Sequence, residues 1–127
     1  VPYILKRTED MTVYLADSRG YTTPGGEWAA DTRQLSVRQV TEFTSKETGE
    51  ALASGMVFVR DGMKTSIAGE TDVVAAVGES TADGNPIPVT WTPDEGIQFE
   101  LMPNDAAPGN TYTATLQWTI APYVAAD

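Results

Sequence analysis

The chain contains neither cysteine nor histidine. Those two absences remove disulfides, thiol nucleophiles, histidine bases and every zinc site built from Cys and His. Basic residues are scarce too, 8 against 18 acids, for a net charge of −10. A surface this negative repels phosphate backbones and anionic lipid heads, which argues against nucleic-acid binding and membrane attachment. No apolar run approaches the ~20 residues of a spanning helix, so membrane insertion is not expected, and the residues from Val1 onward lack a signal-peptide pattern. The 127 residues give room for one domain and enough buried surface to fold without metal or cross-link. The expectation is a soluble, acidic single domain over residues 1–127 whose patternless first ten residues read as a truncated edge. No cofactor is expected.

Good helix formers are also thin. The chain has 6 Leu against 17 Thr and 11 Val, a balance that favours pleated backbone. Little lysine and much threonine fit an extracellular protein, and the missing cysteine is compatible with either redox compartment. Tyr112, Ala114, Leu116, Trp118 and Ile120 alternate with polar residues from Thr111 to Thr119, the period of a strand with one wet face. Ile97, Phe99 and Leu101 alternate just before, and the turn-rich Pro103–Asn110 between predicts an antiparallel hairpin with a long loop. Shorter strands are expected at Met11–Ala16, Leu35–Val40, Met56–Arg60 and Pro88–Thr92, with a buried strand at Val73–Val77. Turn clusters at Gly20–Gly26, Asp61-Gly62, Asp83–Pro86 and Pro93–Gly96 separate them. The only helical stretch is Ser45–Ala53, limited to one turn by Gly49. The whole predicts an all-β sandwich or barrel-like domain of about eight mostly antiparallel strands.

The segment Tyr112-Thr-Ala-Thr-Leu116-Gln-Trp118-Thr-Ile120-Ala-Pro122 resembles the C-terminal signature of the WxL domain of Gram-positive cell-surface proteins. That signature runs Tyr, an aliphatic, Trp, Leu and a following Pro at comparable spacing, with Ile120 here in place of the Leu. Upstream, Leu15-Ala-Asp17-Ser-Arg19-Gly20 is similar to the family's approach to its first Trp-x-Leu element. Leu35-Ser-Val37-Arg-Gln39, Phe43 and Gly49-Glu-Ala-Leu52 follow in the family's order, so the likeness spans about Val13 to Pro122. The first element itself departs: Trp28-Ala-Ala30 has the Trp without the Leu, and Arg33-Gln-Leu35 has the Leu without the Trp. Either the loop is lengthened or the element has degenerated.

The aromatics have two readings. Tyr112 and Trp118 share a strand face with Leu116 and Ile120 and are expected to fill a core, where each buries ~150–250 Å². Trp28 and Tyr21 sit in a Gly-, Pro- and Thr-rich stretch that reads as an exposed loop, Tyr21–Ala30, with no core face to supply, and Trp28 is a packing anchor or an exposed contact. Asp83, Asp94, Glu95 and Asp105 lie in turns, where calcium ligands are assembled, but no Asp-x-Asp-x-Asp-Gly array is present and turn capping accounts for them. Lys6, Lys46 and Lys64 with Asn85, Asn104 and Asn110 are raw material for isopeptide cross-links, yet no spacing selects a pair. No phosphate-cradling loop or serine-nucleophile motif occurs.

The resemblance implies a secreted, non-catalytic module that attaches non-covalently to the Gram-positive cell wall. It implies peptidoglycan or another wall glycan as ligand, and surface or membrane-anchored proteins of the same bacterium as partners. Candidate contact residues are Trp28, Tyr21, Asp17 and Arg19, while Tyr112, Leu116, Trp118, Ile120 and Pro122 are the core-side motif. Two rivals stand beside it. One is a pilin-like or phage-structural subunit that exchanges strands between copies. The other is a glycan hydrolase with two carboxylates ~5–9.5 Å apart.

Overall fold

The computed structural model describes residues 3–52, 55–69, 72–102 and 109–123. Over these residues the chain is all-β, with thirteen short strands. They are β1 (Tyr3–Lys6), β2 (Met11–Leu15), β3 (Gly20–Thr22), β4 (Trp28–Ala30), β5 (Thr32–Gln39), β6 (Thr44–Ser45) and β7 (Gly55–Arg60). Then come β8 (Met63–Ser66), β9 (Val73–Glu79), β10 (Ile87–Trp91), β11 (Gly96–Leu101), β12 (Tyr112–Thr113) and β13 (Leu116–Pro122). The number exceeds the expected eight for identifiable reasons. The long alternation at 111–120 is broken where Ala114 and Thr115 leave the ladder, and the segment read as a loop at 21–30 is itself a hairpin. The patternless start also contributes an edge strand.

A four-stranded sheet in the order β1-β11-β7-β8 faces a three-stranded sheet in the order β13-β5-β9, and the ribbons β10-β2, β12-β6 and β3-β4 complete a sandwich-like domain. Every strand pair is antiparallel, and one isolated parallel bridge joins Gln39 to Ala68. The expected hairpin between β11 and the last strand does not form. β11 pairs with β7 and β13 with β5, because those registers oppose apolar to apolar: Ile97 to Phe58, Phe99 to Met56, Trp118 to Val37 and Ile120 to Leu35. The intervening residues 103–108 lie outside the described ones. Asp61 and Gly62, both at positive φ, make the two-residue turn joining β7 to β8.

Val73–Val77 does form a strand, but at the sheet edge rather than buried: Val77 is exposed and only Ala75 is fully covered. Leu35 and Ser36 oppose Ala76 and Val74, leaving Ala75 as the extra residue of a β-bulge turned into the core. Where one helical turn was expected after Ser45, residues 46–48 form a tight turn and no helix, with Gly49 N–H donating to the Ser45 carbonyl and Ser45 Oγ accepting from the Glu47 and Thr48 N–H groups. Gly49 at φ 77° ends it. Ala53, the last residue of that expectation, lies outside the described residues.

The core holds Leu35, Val37, Met56, Phe58, Ile67, Ala75 and Trp91. Trp91 is its hub. Its ring meets Phe58 of the larger sheet edge-on at 5.4 Å and stacks on Trp118 of the smaller sheet at 5.8 Å. Trp118 and Tyr112, expected inside, are half-buried instead. Trp118 packs at the margin of the core with Leu116 and Ile120, since β13 is an edge strand with a neighbour on one side only. Pro122, the last motif residue, is exposed.

Replacing Trp91 by Ala should therefore cost ~3–5 kcal/mol. Trp118→Ala should cost less by at least about 1 kcal/mol, because less of its surface leaves water on folding. Urea unfolding of the two variants checks the order, and equal losses would contradict it.

Candidate functional site

The hairpin β3–β4 projects the exposed aromatics. Gly20 opposes Ala30, Tyr21 opposes Ala29 and Thr22 opposes Trp28. The turn between them is closed by Thr23 N–H to the Glu27 carbonyl, Gly26 N–H to the Thr23 carbonyl, and Glu27 N–H to Thr23 Oγ. Tyr21 is 56% exposed and Trp28 43%. Because side chains alternate along a strand, residues 20, 22, 28 and 30 share one face and 21 and 29 the other. The two candidate contact aromatics thus lie on opposite faces of the ribbon and do not form one platform. Gly20 carries no strained φ; its role is space, since a Cβ there would overlap the Trp28 ring and the Ala29 carbonyl. The indole is seated on bare backbone.

Asp17 sits at the foot of this hairpin and is almost entirely buried. Its Oδ1 accepts from Arg19 N–H at 2.9 Å and Arg19 Nε at 3.0 Å. Its Oδ2 accepts from Arg19 Nη2 and Arg33 Nε, both at 2.8 Å. The carboxylate therefore ties the residue entering the hairpin, Arg19, to the strand leaving it, β5 through Arg33. The Arg33 side chain is 4% exposed, so these are two buried charges that compensate each other. Further bonds lock the same corner: Thr81 N–H to the Asp17 carbonyl, Ser80 N–H to the Asp31 carbonyl, and Asp31 N–H to Ser80 Oγ. The hydrogen bonds from Arg19, joined by that from Arg33, outweigh desolvation and hold the Asp17 carboxyl well below the usual carboxylate range. Of the candidates Asp17 and Arg19, the first is a clamp with its oxygens occupied, while the second keeps a side chain 61% exposed beside the aromatic ribbon.

The acidic turns are dispersed. Asp83 accepts from Asn85, and its carboxyl is held low chiefly by the Asn85 backbone N–H. Asp94 pairs with Lys6 at 2.8 Å, which lowers its carboxyl in turn. Asp105 and Asn104 lie outside the described residues. Among the described residues no group of three His, Cys, Asp or Glu side chains is placed to hold a metal ion, and no helix is long and apolar enough to cross a membrane. Sequence reasoning missed Arg33 and Gly20. Arg33 reads as an ordinary polar strand residue, and only the spacing of Asp17 and Arg19 before a hairpin could have flagged a clamp. Gly20 read as a turn former.

Two outcomes follow from the clamp and the seat. A group whose folded pKa is depressed stabilises the fold above its unfolded pKa and loses that contribution as pH falls toward the folded value. Thermal melts should show the protein losing stability below about pH 4, with Asp17→Asn removing this part of the acid sensitivity. That variant should also cost ~3 kcal/mol at neutral pH, because buried Arg33 then keeps only the 3.9 Å approach of half-exposed Asp31. Separately, Gly20→Ala should displace the Trp28 indole and change its fluorescence while Trp91 stays in place. An unaltered Trp28 environment would show that the ring does not rest on Gly20.

No family model matches the chain, and no curated protein or solved structure matches it either.

Proposed function

We propose that the protein is a non-catalytic cell-surface module that holds the Gram-positive cell wall non-covalently, with peptidoglycan or another wall glycan as ligand. In this reading it also meets surface or membrane-anchored proteins of the same bacterium. The observation that carries the proposal is the Trp28 ring, exposed on a hairpin whose base is fixed by a buried ion cluster. Exposed aromatics on a rigid support favour binding, since a flat apolar ring stacks on the apolar face of a sugar at little entropic cost. The WxL-like run from Tyr112 to Pro122 supports the same reading from the sequence side.

The opposed faces of the ribbon refine it. Trp28, with Thr22 on its own face, supplies a ring and a hydroxyl for a neutral glycan. Tyr21, on the other face, is free to meet a second surface. Charge narrows the mode of contact: at −10 the domain is repelled by anionic wall polymers, so adhesion relies on stacking and neutral hydrogen bonds.

Pull-down on purified peptidoglycan tests this. Trp28→Ala should abolish most retention while leaving the melting temperature within a few degrees. Tyr21→Ala should affect glycan retention far less. Retention on whole wall should hold or rise toward about 1 M salt, where the Debye length is ~3 Å. Loss of binding with salt would point instead to a basic protein partner, and a destabilised Trp28→Ala with unchanged retention would overturn the assignment.

A further inference from the structure

The first strand is held by its ladder and its end and buries none of its side chains. Tyr3, Ile4, Leu5 and Lys6 are all exposed, and none of them belongs to the core or its margin. β1 is held by its antiparallel ladder to β11, Tyr3 to Leu101 through Lys6 to Gln98, and by two cations at its end. Lys6 Nζ pairs with Asp94 at 2.8 Å. The Arg7 guanidinium donates to four main-chain carbonyls of the β10–β11 turn, those of Trp91, Thr92, Glu95 and Ile97, at 2.5–3.0 Å. Gly96, at φ 73°, leaves room for this cage, since a Cβ there would press on Trp91 and approach Arg7 Nη1. The turn is thus a receptor of complementary charge for an apolar strand ending in Lys-Arg.

Among the described residues, the other edges of the two main sheets lack such a receptor. β8 carries Lys64 paired to Glu100, β9 is bent by its bulge at Ala75, and β13 ends on Pro122. Withdrawing β1 would bare the edge of β11 without opening the core. Only residues 7–10 link β1 to β2, which lies in a different sheet, and a short hinge between separately docked elements is the usual setting for exchange.

We propose that the β11 edge and its carbonyl cage accept β1 from a second copy of the chain, giving strand-exchanged dimers. The exchanged contacts repeat those made within one chain, so the balance depends on concentration. A short hinge holds β1 at an effective concentration of about millimolar, and copies packed at comparable local density compete with it. The inference stands apart from glycan binding, since β1 and the Trp28 hairpin belong to different sheets.

The absence of native cysteine makes the test direct. Ile4 opposes Glu100 in the ladder. Full chains bearing Ile4→Cys are mixed with full chains bearing Glu100→Cys, over a series from about 10 µM to about 1 mM bracketing that effective concentration, in 0.15 M salt with oxidised glutathione. Chains bearing Thr113→Cys, an exposed position on β12, replace the Glu100→Cys chains as the collision control. The expected result is a disulfide-linked heterodimer several-fold above the control that increases with concentration. A yield equal to the control overturns the proposal. In a second mixture, Lys6→Glu is added to the first chain and Asp94→Lys to the second. Each chain then mismatches its own strand and matches the other's, so the heterodimer should increase further. An unchanged yield would assign the cross-link to some other contact and overturn the exchange.

Discussion

Trp91 is the residue through which three sheets meet. It belongs to the ribbon β10-β2, stands edge-on to Phe58 of the four-stranded sheet and stacks on Trp118 of the three-stranded sheet. A sandwich normally gains its cohesion from two continuous inner faces about 10 Å apart. Here the strands are short and divided among five sheets, so no single face is long enough to do this alone. One large indole touching both sheets substitutes for that continuity. Phe43 against Phe99, at 4.8 Å, makes a smaller contact of the same kind beside it.

The charged groups act at the margins of this core. Asp17 and Arg33 are buried where a hairpin leaves the domain, and the pair specifies how that hairpin stands while adding little net stability. Lys6 and Arg7 do a comparable job at the first strand, spending their donors on a carboxylate and on main-chain oxygens of a turn. In both places a guanidinium with several donors in a fixed plane joins segments distant in sequence. The acidic excess of the chain remains on the surface, where it affects encounter and association and leaves the fold alone.

Much of this architecture was legible beforehand, because period-two alternation is a direct print of a half-buried strand. Ile97 with Phe99, and Leu116 with Trp118 and Ile120, turn toward the core as the pattern requires, although Gln98 is buried too, and at Met56–Arg60, where the pattern left the face open, Met56, Val57 and Phe58 are all buried. Asp61-Gly62 marked its turn correctly. Pairing was not legible, since β11 and β13 each match several partners by pattern and only the facing side chains decide. Trp91 escaped notice as the hub because its strand is short, begins beside Pro86 and contains Pro88. At the site, exposure of Trp28 and Tyr21 could be anticipated from their surroundings, but their opposite facing depended on a hairpin that the glycines disguised as a loop. The burial of Arg33 had no signal of its own in one dimension, only the spacing of Asp17 and Arg19 ahead of it.

The strand order also has a temporal consequence. Tyr3 is joined to Leu101, Met11 to Trp91, and Leu35 to Ile120, so segments made early wait for partners made much later. Such distant closures are slow, because the entropy of closing a long loop is spent before the ladder rewards it. The centre of the smaller sheet, β5, lacks one neighbour until the segment around Trp118 has emerged. During synthesis the chain therefore exists for a time as an unfinished sheet with bare edges, and a net charge of −10 opposes the meeting of such edges between copies.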